Sequence, residues 1–383
     1  MKFFKWFFLF SFFMSESIVY SKRYMHPNQV DWRKIQEFIS ANNERNSPIP
    51  YSNIKNNLNL VVIVCPIMVT GGPENLCQLY AELKKIGFEV YFLWVDHVSN
   101  IQKKYENGIC YLCKDEKNTI NLAYLESYKV NFLARDIPLV DSTLIIVPEM
   151  WADIISLFDK AQVAIAWLSI GNLMGKYTEL IRQLIKHNIL KNIHCIHLSQ
   201  APWISKTLEF WGVESFLLSD YISKHYFDIT NILKEENSVA VYPKKGGKLL
   251  ANFMKEYSNF DYIRLENLNQ AEMVQALDSA KVYVDFGHFP GRDRIPREAL
   301  LRNCVIFIRD VACATDFDSF PIDNYFRFSD KDILDGTLFK KVSDTLSDYE
   351  NMKKKQDFMR KQVEQEPFVF KKNVQDFFGN PKN

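Results

Sequence analysis

The sequence predicts an α/β protein of two Rossmann-like domains, and three observations carry that reading. Short apolar runs rich in β-branched and aromatic residues alternate with amphipathic helical patterns, as parallel sheets require. Twice a strand runs at once into a glycine turn and a helix, at Thr70-Gly71-Gly72-Pro73 and at Pro243-Lys244-Lys245-Gly246-Gly247. A polar stretch, residues 228–237, separates the two sets of elements.

Taken in order, residues 1–25 form a hydrophobic N-terminal segment that opens MKFFKWFFLFSFFM. Its apolar run falls short of the ~20 residues that span a bilayer. Two readings stay open. It is a secretory signal, with Val19 and Ser21 before a cleavage site, or it lies in a membrane interface on a cytoplasmic protein, Lys2 and Lys5 toward anionic lipid. Residues 26–58 read as a polar, asparagine-rich arm with one short helix near residues 32–40.

Residues 59–230 read as the first domain. Residues 60–65 make a buried strand; Leu76, Leu79, Tyr80 and Leu83 share one helical face; Gly87 stops that helix before a strand at 89–95. Runs at 144–147, 163–167 and 193–198 are further strands, with a helical pattern at 177–187. Residues 231–345 read as the second domain. Its expected strands are 238–242, 262–265, 282–286 and 304–308; its expected helices follow Gly247 and cover 270–280 and 296–302. Pro296 suits the first turn of the last of these. Residues 346–383 are charged and helical, with 368–378 as a closing helix.

The bulk numbers agree with two packed domains. A chain of 383 residues, 47% hydrophobic and 24% charged, is globular rather than disordered. A net charge of +1 argues against a general nucleic-acid binder. The seven cysteines are scattered; Cys110 and Cys113 lack a second pair or a histidine partner, so reduced, buried thiols and no metal site are expected.

The chemistry concentrates in residues 281–309. Gly287 breaks a strand, Pro290 and Gly291 make a turn, and Arg292, Arg294 and Arg297 crowd the carboxyl end of that strand and the following helix start. Ligands bind there in open α/β sheets, and three guanidinium forks near N–H-rich turns suit a diphosphate. The plainer alternative is a solvated arginine loop. Glu298 sits among the arginines, either as a ligand contact or as a carboxylate capping its own helix. Lys244 and Lys245 repeat the strand–turn–helix anion site, or form a solvated pair; Glu74 is a site carboxylate, or a charge that favours its helix N-terminus.

Asp285, Phe286, Gly287, His288, Pro290, Gly291, Asp293, Arg294, Pro296, Arg297, Glu298 and Ala299 form a block that resembles the donor segment of GT-B glycosyltransferases. The likeness is specifically to bacterial enzymes of capsular and lipo-oligosaccharide surface polysaccharides, and it covers about residues 60–328. It implies two domains facing across a cleft and metal-independent transfer from a nucleotide-diphosphate sugar to a glycan or lipid-linked acceptor, without a cofactor. It implies donor contacts from Gly287, His288, Gly291, Arg292, Arg294, Arg297 and Glu298. Lys244 and Lys245 would lie beside the diphosphate, as in an NPKKG segment whose asparagine is Tyr242 here. Gly71 and Gly72 would face the cleft, with Glu74 a base if the reaction inverts. Many retaining relatives hold the donor with two glutamates eight residues apart; Glu298 matches the second, and Pro290 stands at the first. Glu149, Trp167, Leu168, Ser169 and Asn172 also resemble that family. Asp316 and Asp318 match the metal-binding DxD pattern of the other major glycosyltransferase fold, a spacing common by chance. A nucleotide-sugar epimerase and a non-catalytic sugar-nucleotide or glycan-binding protein remain as alternatives.

Overall fold

The apolar runs form two parallel sheets, and the computed structural model shows how they are connected. It describes residues 58–67, 70–95, 101–113, 127–130, 133, 135–158, 160–170, 195–228 and 233–379. The hydrophobic N-terminal segment, nearly all of the arm, the helix expected at 177–187 and Asn172 lie outside them.

The first unit runs β1 (Leu60–Pro66), α1 (Gly71–Lys85), β2 (Glu89–Val95), β3 (Lys103–Glu106), β4 (Ile109–Leu112), β5 (Ile137–Pro138) and β6 (Thr143–Pro148). A 3-10 segment, Glu149–Phe158, leads to β7 (Gln162–Trp167), and β8 (Ile196–Ser199), α2 (Pro202–Phe210) and β9 (Phe216–Leu217) follow. Its main sheet has the order β2-β1-β6-β7-β8-β9, parallel at every pairing. The second unit runs β10 (Ser238–Val241), α3 (Pro243–Glu256), β11 (Asp261–Arg264), α4 (Gln270–Ser279), β12 (Val282–Asp285), α5 (Arg294–Leu301), β13 (Val305–Arg309) and β14 (Arg327–Phe328). Its sheet has the order β11-β10-β12-β13-β14, again all parallel. Every residue of β1, β6, β10, β12 and β13 is buried, because helices cover both faces of a parallel sheet.

Helices α6 (Asp330–Leu334), α7 (Thr337–Ser347) and α8 (Tyr349–Lys354) lead to α9 (Asp357–Phe378). The closing helix expected at 368–378 is the second half of this 22-residue helix, which continues through Pro367. Met359 and Val363 of its first half are buried in the core that the second sheet shares. Phe370, Val374, Phe377 and Phe378 of its second half join the core against α1 and the first sheet. Ring contacts to Phe88 at 5.9 Å and Phe216 at 4.9 Å fasten that end. One helix therefore stitches the two units together.

The β3–β4 hairpin is an element the sequence reading did not give. Its strand Lys103–Glu106 is short, polar and largely exposed, so it lacks the apolar signal. Its turn is legible, since Asn107 and Gly108 both take positive φ, 50° and 79°, as two-residue hairpins favour. All seven cysteines are free; five are buried, and Cys113 and Cys195 are partly exposed.

Candidate active site

In both sheets the loops that leave the carboxyl ends of the strands are turned toward each other, which makes the crevice where such sheets bind ligands. Gly71, Gly72 and Glu74 follow β1, Leu168 follows β7, Gln200 follows β8 and Asp220 follows β9. Across from them, Lys244 and Lys245 follow β10 and residues 287–294 follow β12. The units pack tightly at two of the glycines singled out by sequence. A Cβ on Gly71 would lie 2.7 Å from Cδ of Arg294, and one on Gly291 would lie 2.5 Å from the Leu168 carbonyl oxygen. Both positions require glycine for close approach, and neither for φ. Gly291→Ala should accordingly cost about 1–3 kcal/mol, read as a lowered midpoint in urea, since backbone faces backbone there.

A ladder of alternating charges crosses the crevice. Glu74 Oε1 is 3.0 Å from Arg294 Nη2, and Arg294 Nη1 donates to Asp220 Oδ2 at 3.1 Å. Arg297 Nη2 donates to both Asp220 oxygens at 2.8 and 2.9 Å, and its Nη1 donates to Glu366 Oε2 at 2.8 Å. Arg292 Nη1 ends the ladder 2.8 Å from Glu366 Oε1. That last contact is close but misaligned for a hydrogen bond, so the pair is held by charge. Burial alone would raise Asp220; the Arg297 and Arg294 guanidinia overcome it and hold the carboxyl below the usual range.

Where three forks are expected to face one diphosphate, the structure gives the three arginines carboxylate partners of their own. The Arg297 side chain has no exposed surface, and Arg292 spends its Nε on the Ser319 carbonyl at 2.8 Å. These two arginines are internal ties, because Asp220 and Glu366 reach them from distant parts of the chain. Arg294 keeps 11% of its side chain exposed and is the member that lies against α1.

Glu298 is also repositioned. Helix α5 begins at Arg294, two residues ahead of expectation, so Glu298 is its fifth residue and lies too deep for a capping box. Its carboxylate lies 3.6 Å from Arg294 Nε, and the Tyr226 hydroxyl bonds it. Burial pushes its carboxyl up, and the Glu74 charge adds to this against the pull of Arg294. Glu74 in turn accepts from the Tyr128 hydroxyl at 3.0 Å. Three carboxylates, Glu74 and Asp220 from the first unit and Glu298 from the second, thus share one guanidinium.

The two lysines divide. Lys245 reaches inward to Asp293 at 2.6 Å, while Lys244 is exposed and donates to Asn267 at 2.9 Å. Gly287 donates its N–H to the buried Asp285 carboxylate at 2.7 Å, so this amide is already used. His288 beside it has an exposed face, and the partial burial of its ring together with the Arg309 and Lys245 charges lowers its imidazole pKa. Phe289, fully buried, takes φ 46° and packs edge-on against Phe320, a backbone strain of the kind concentrated at functional loops. Asp316 and Asp318 are both held by Lys206 from α2, a tie between the units at the rim of the crevice.

No family model matches the chain, and no curated protein matches it. Solved structures do. A glycosyltransferase from Rickettsia africae superposes over 85% of this chain and all of its own, with a TM-score of 0.54 at 12% identity. A single-residue mutant of S. aureus TarM, in complex with fondaparinux, alpha-GlcNAc-glycerol and UDP, covers 84% and 100% of the two chains with a TM-score of 0.55 at 10% identity. The pneumococcal O-GlcNAc transferase GtfA, in complex with UDP and GlcNAc, covers 85% and 100% with a TM-score of 0.53 at 8% identity.

The fold is GT-B.

The GT-B crevice explains which residues sequence reasoning missed. Asp220 lies three residues past the last strand of the first sheet, within reach of a carboxyl-end rule. Gln200, after β8, donates to Asp220 at 2.8 Å and accepts the Arg292 N–H at 3.2 Å. Glu366 gives no sequence signal beyond a carboxylate before a proline. Glu149 accepts the Leu168 N–H at 3.0 Å, so it holds the loop that Gly291 touches; burial pushes its carboxyl up to about 7.

Proposed function

We propose that the chain is a glycosyltransferase that moves a sugar from a nucleotide-diphosphate sugar to a glycan or lipid-linked acceptor. The observation that carries this reading is the meeting of Arg294 with Glu74 of the facing unit and Glu298 of its own helix, with Lys245 paired to the neighbouring Asp293, at the carboxyl ends of two facing parallel sheets. The GT-B fold and its similarity to structures named as glycosyltransferases, two of them holding UDP, support it.

In this reading the diphosphate lies against the first turn of α3 and the loop 287–294. Transfer breaks the bond between the sugar's anomeric carbon and the diphosphate oxygen, and forms one to an acceptor oxygen. Negative charge grows on the leaving diphosphate, where Lys245 and Arg294 stabilise it most in the transition state. Glu298 accepts hydrogen bonds from sugar or ribose hydroxyls. The acceptor hydroxyl loses a proton, and Glu74 takes it if the reaction inverts.

Metal independence belongs to the same proposal. Its support is that lysine and arginine supply positive charge at the crevice, while Lys206 occupies Asp316 and Asp318. Transfer should proceed unchanged in excess chelator; activity lost to chelator and restored by manganese would contradict it. A panel of radiolabelled nucleotide sugars tests the function itself. Transfer or donor hydrolysis is the expected result, isomer formation would make the chain an epimerase, and binding alone would make it a sugar-nucleotide binder.

A further inference from the structure

We propose that Glu366 is a positioning residue for the donor loop, acting from the helix that joins the two units. It is 4% exposed and stands immediately before Pro367, where α9 passes from one core to the other. Proline has no N–H to continue the helix ladder, so the helix is locally weak where Glu366 departs from it.

The carboxylate holds a clamp. Arg297, which Glu366 binds, donates through Nε to the Asp293 carbonyl at 3.2 Å and through Nη2 to the Arg292 carbonyl at 3.2 Å. It thus grips the backbone of the loop that leads into α5. Asp220 holds the same guanidinium from the first unit, and Glu366 holds it from the joining helix. Asp293, whose carbonyl is gripped, is the residue whose carboxylate sets Lys245 at 2.6 Å. The path from the joining helix to the lysine is therefore Glu366, Arg297, the Asp293 backbone, Lys245. Arg292, the second partner of Glu366, ties the same loop to the Ser319 carbonyl.

The bland role for such a group is cohesion alone, and the test separates the two. Glu366→Gln keeps size and one hydrogen bond but removes the charge; Val363→Ala removes packing on the same helix, at a side chain with no exposed surface. Amide hydrogen exchange of residues 287–293 and donor kinetics are measured on both variants and on the full parent chain. Positioning predicts faster loop exchange and a donor KM raised by about tenfold or more in Glu366→Gln, with Val363→Ala at parent values for both. Glu366→Asp, which keeps the charge one methylene back, should recover part of the loss. It carries the comparison if the glutamine variant does not fold. Loop exchange that moves equally in both variants, or in neither, overturns the proposal. The kinetic part rests on the glycosyltransferase reading; if the parent uses no nucleotide sugar that reading fails, and loop exchange alone decides the role of Glu366.

Discussion

Arg297→Met should lower the thermal midpoint by roughly 6–10 °C, from a loss of about 3–5 kcal/mol. The guanidinium is wholly enclosed, and its removal leaves the ladder's three carboxylates, Glu74, Asp220 and Glu366, with two guanidinia. Gln200 and Arg294 still reach Asp220, and Arg292 still faces Glu366, which keeps the loss within that range. Two carbonyls of the loop before α5, those of Arg292 and Asp293, lose a hydrogen-bond donor in the same step. Arg294→Met, in contrast, removes a partly exposed member and should cost less stability. A scanning calorimeter checks both, and a fall below about 2 °C for Arg297→Met would show that the ladder does not hold the units together.

Glu149→Gln should remove a loss of stability in alkali. Burial raises the folded carboxyl to about 7 from an ordinary value of 4.5, so the folded chain holds this proton more tightly than the unfolded chain does. Its contribution is therefore complete below about pH 4.5 and is lost as pH rises through about 7. Over that window the parent should lose on the order of 3 kcal/mol that the variant does not lose. Glutamine keeps an acceptor for the Leu168 N–H and has no proton to release. Urea unfolding at pH 5 and pH 8 should show the variant more stable than the parent only at the higher pH. Parallel pH profiles would mean that Glu149 is as well solvated folded as unfolded.

The strands were legible because both faces of a parallel sheet are covered, which forces uninterrupted apolar runs such as Leu60–Pro66 and Val305–Arg309. The β3–β4 hairpin was not, because an exposed strand carries no such constraint. Glycine turns marked Gly71 and Gly291 as special, yet the reason, an arginine stem in one case and a carbonyl in the other, comes from the opposite unit. The capping reading of Glu298 hung on a helix start that fell two residues earlier than Pro296 suggested. The arginines stood out by their spacing, but their partners lie far away in sequence, Asp220 77 positions and Glu366 69 positions from Arg297. No local pattern encodes such pairs. The sequence therefore marked the loops between the two sheets, while the ties that hold their cations are set by residues far away in the chain.

In the proposed reading, Lys245 and its surroundings bind the diphosphate of a sugar nucleotide in the crevice. Calorimetric titration of the full chain and of Lys245→Met with UDP, GDP, ADP and CDP tests it most directly. One of these nucleotides should bind the parent at one site. Lys245→Met should weaken that binding by about tenfold or more, ~1.4 kcal/mol, with a lower melting temperature because Asp293 loses its partner. Equal affinity in the two proteins, or binding of none of the four, would contradict the account.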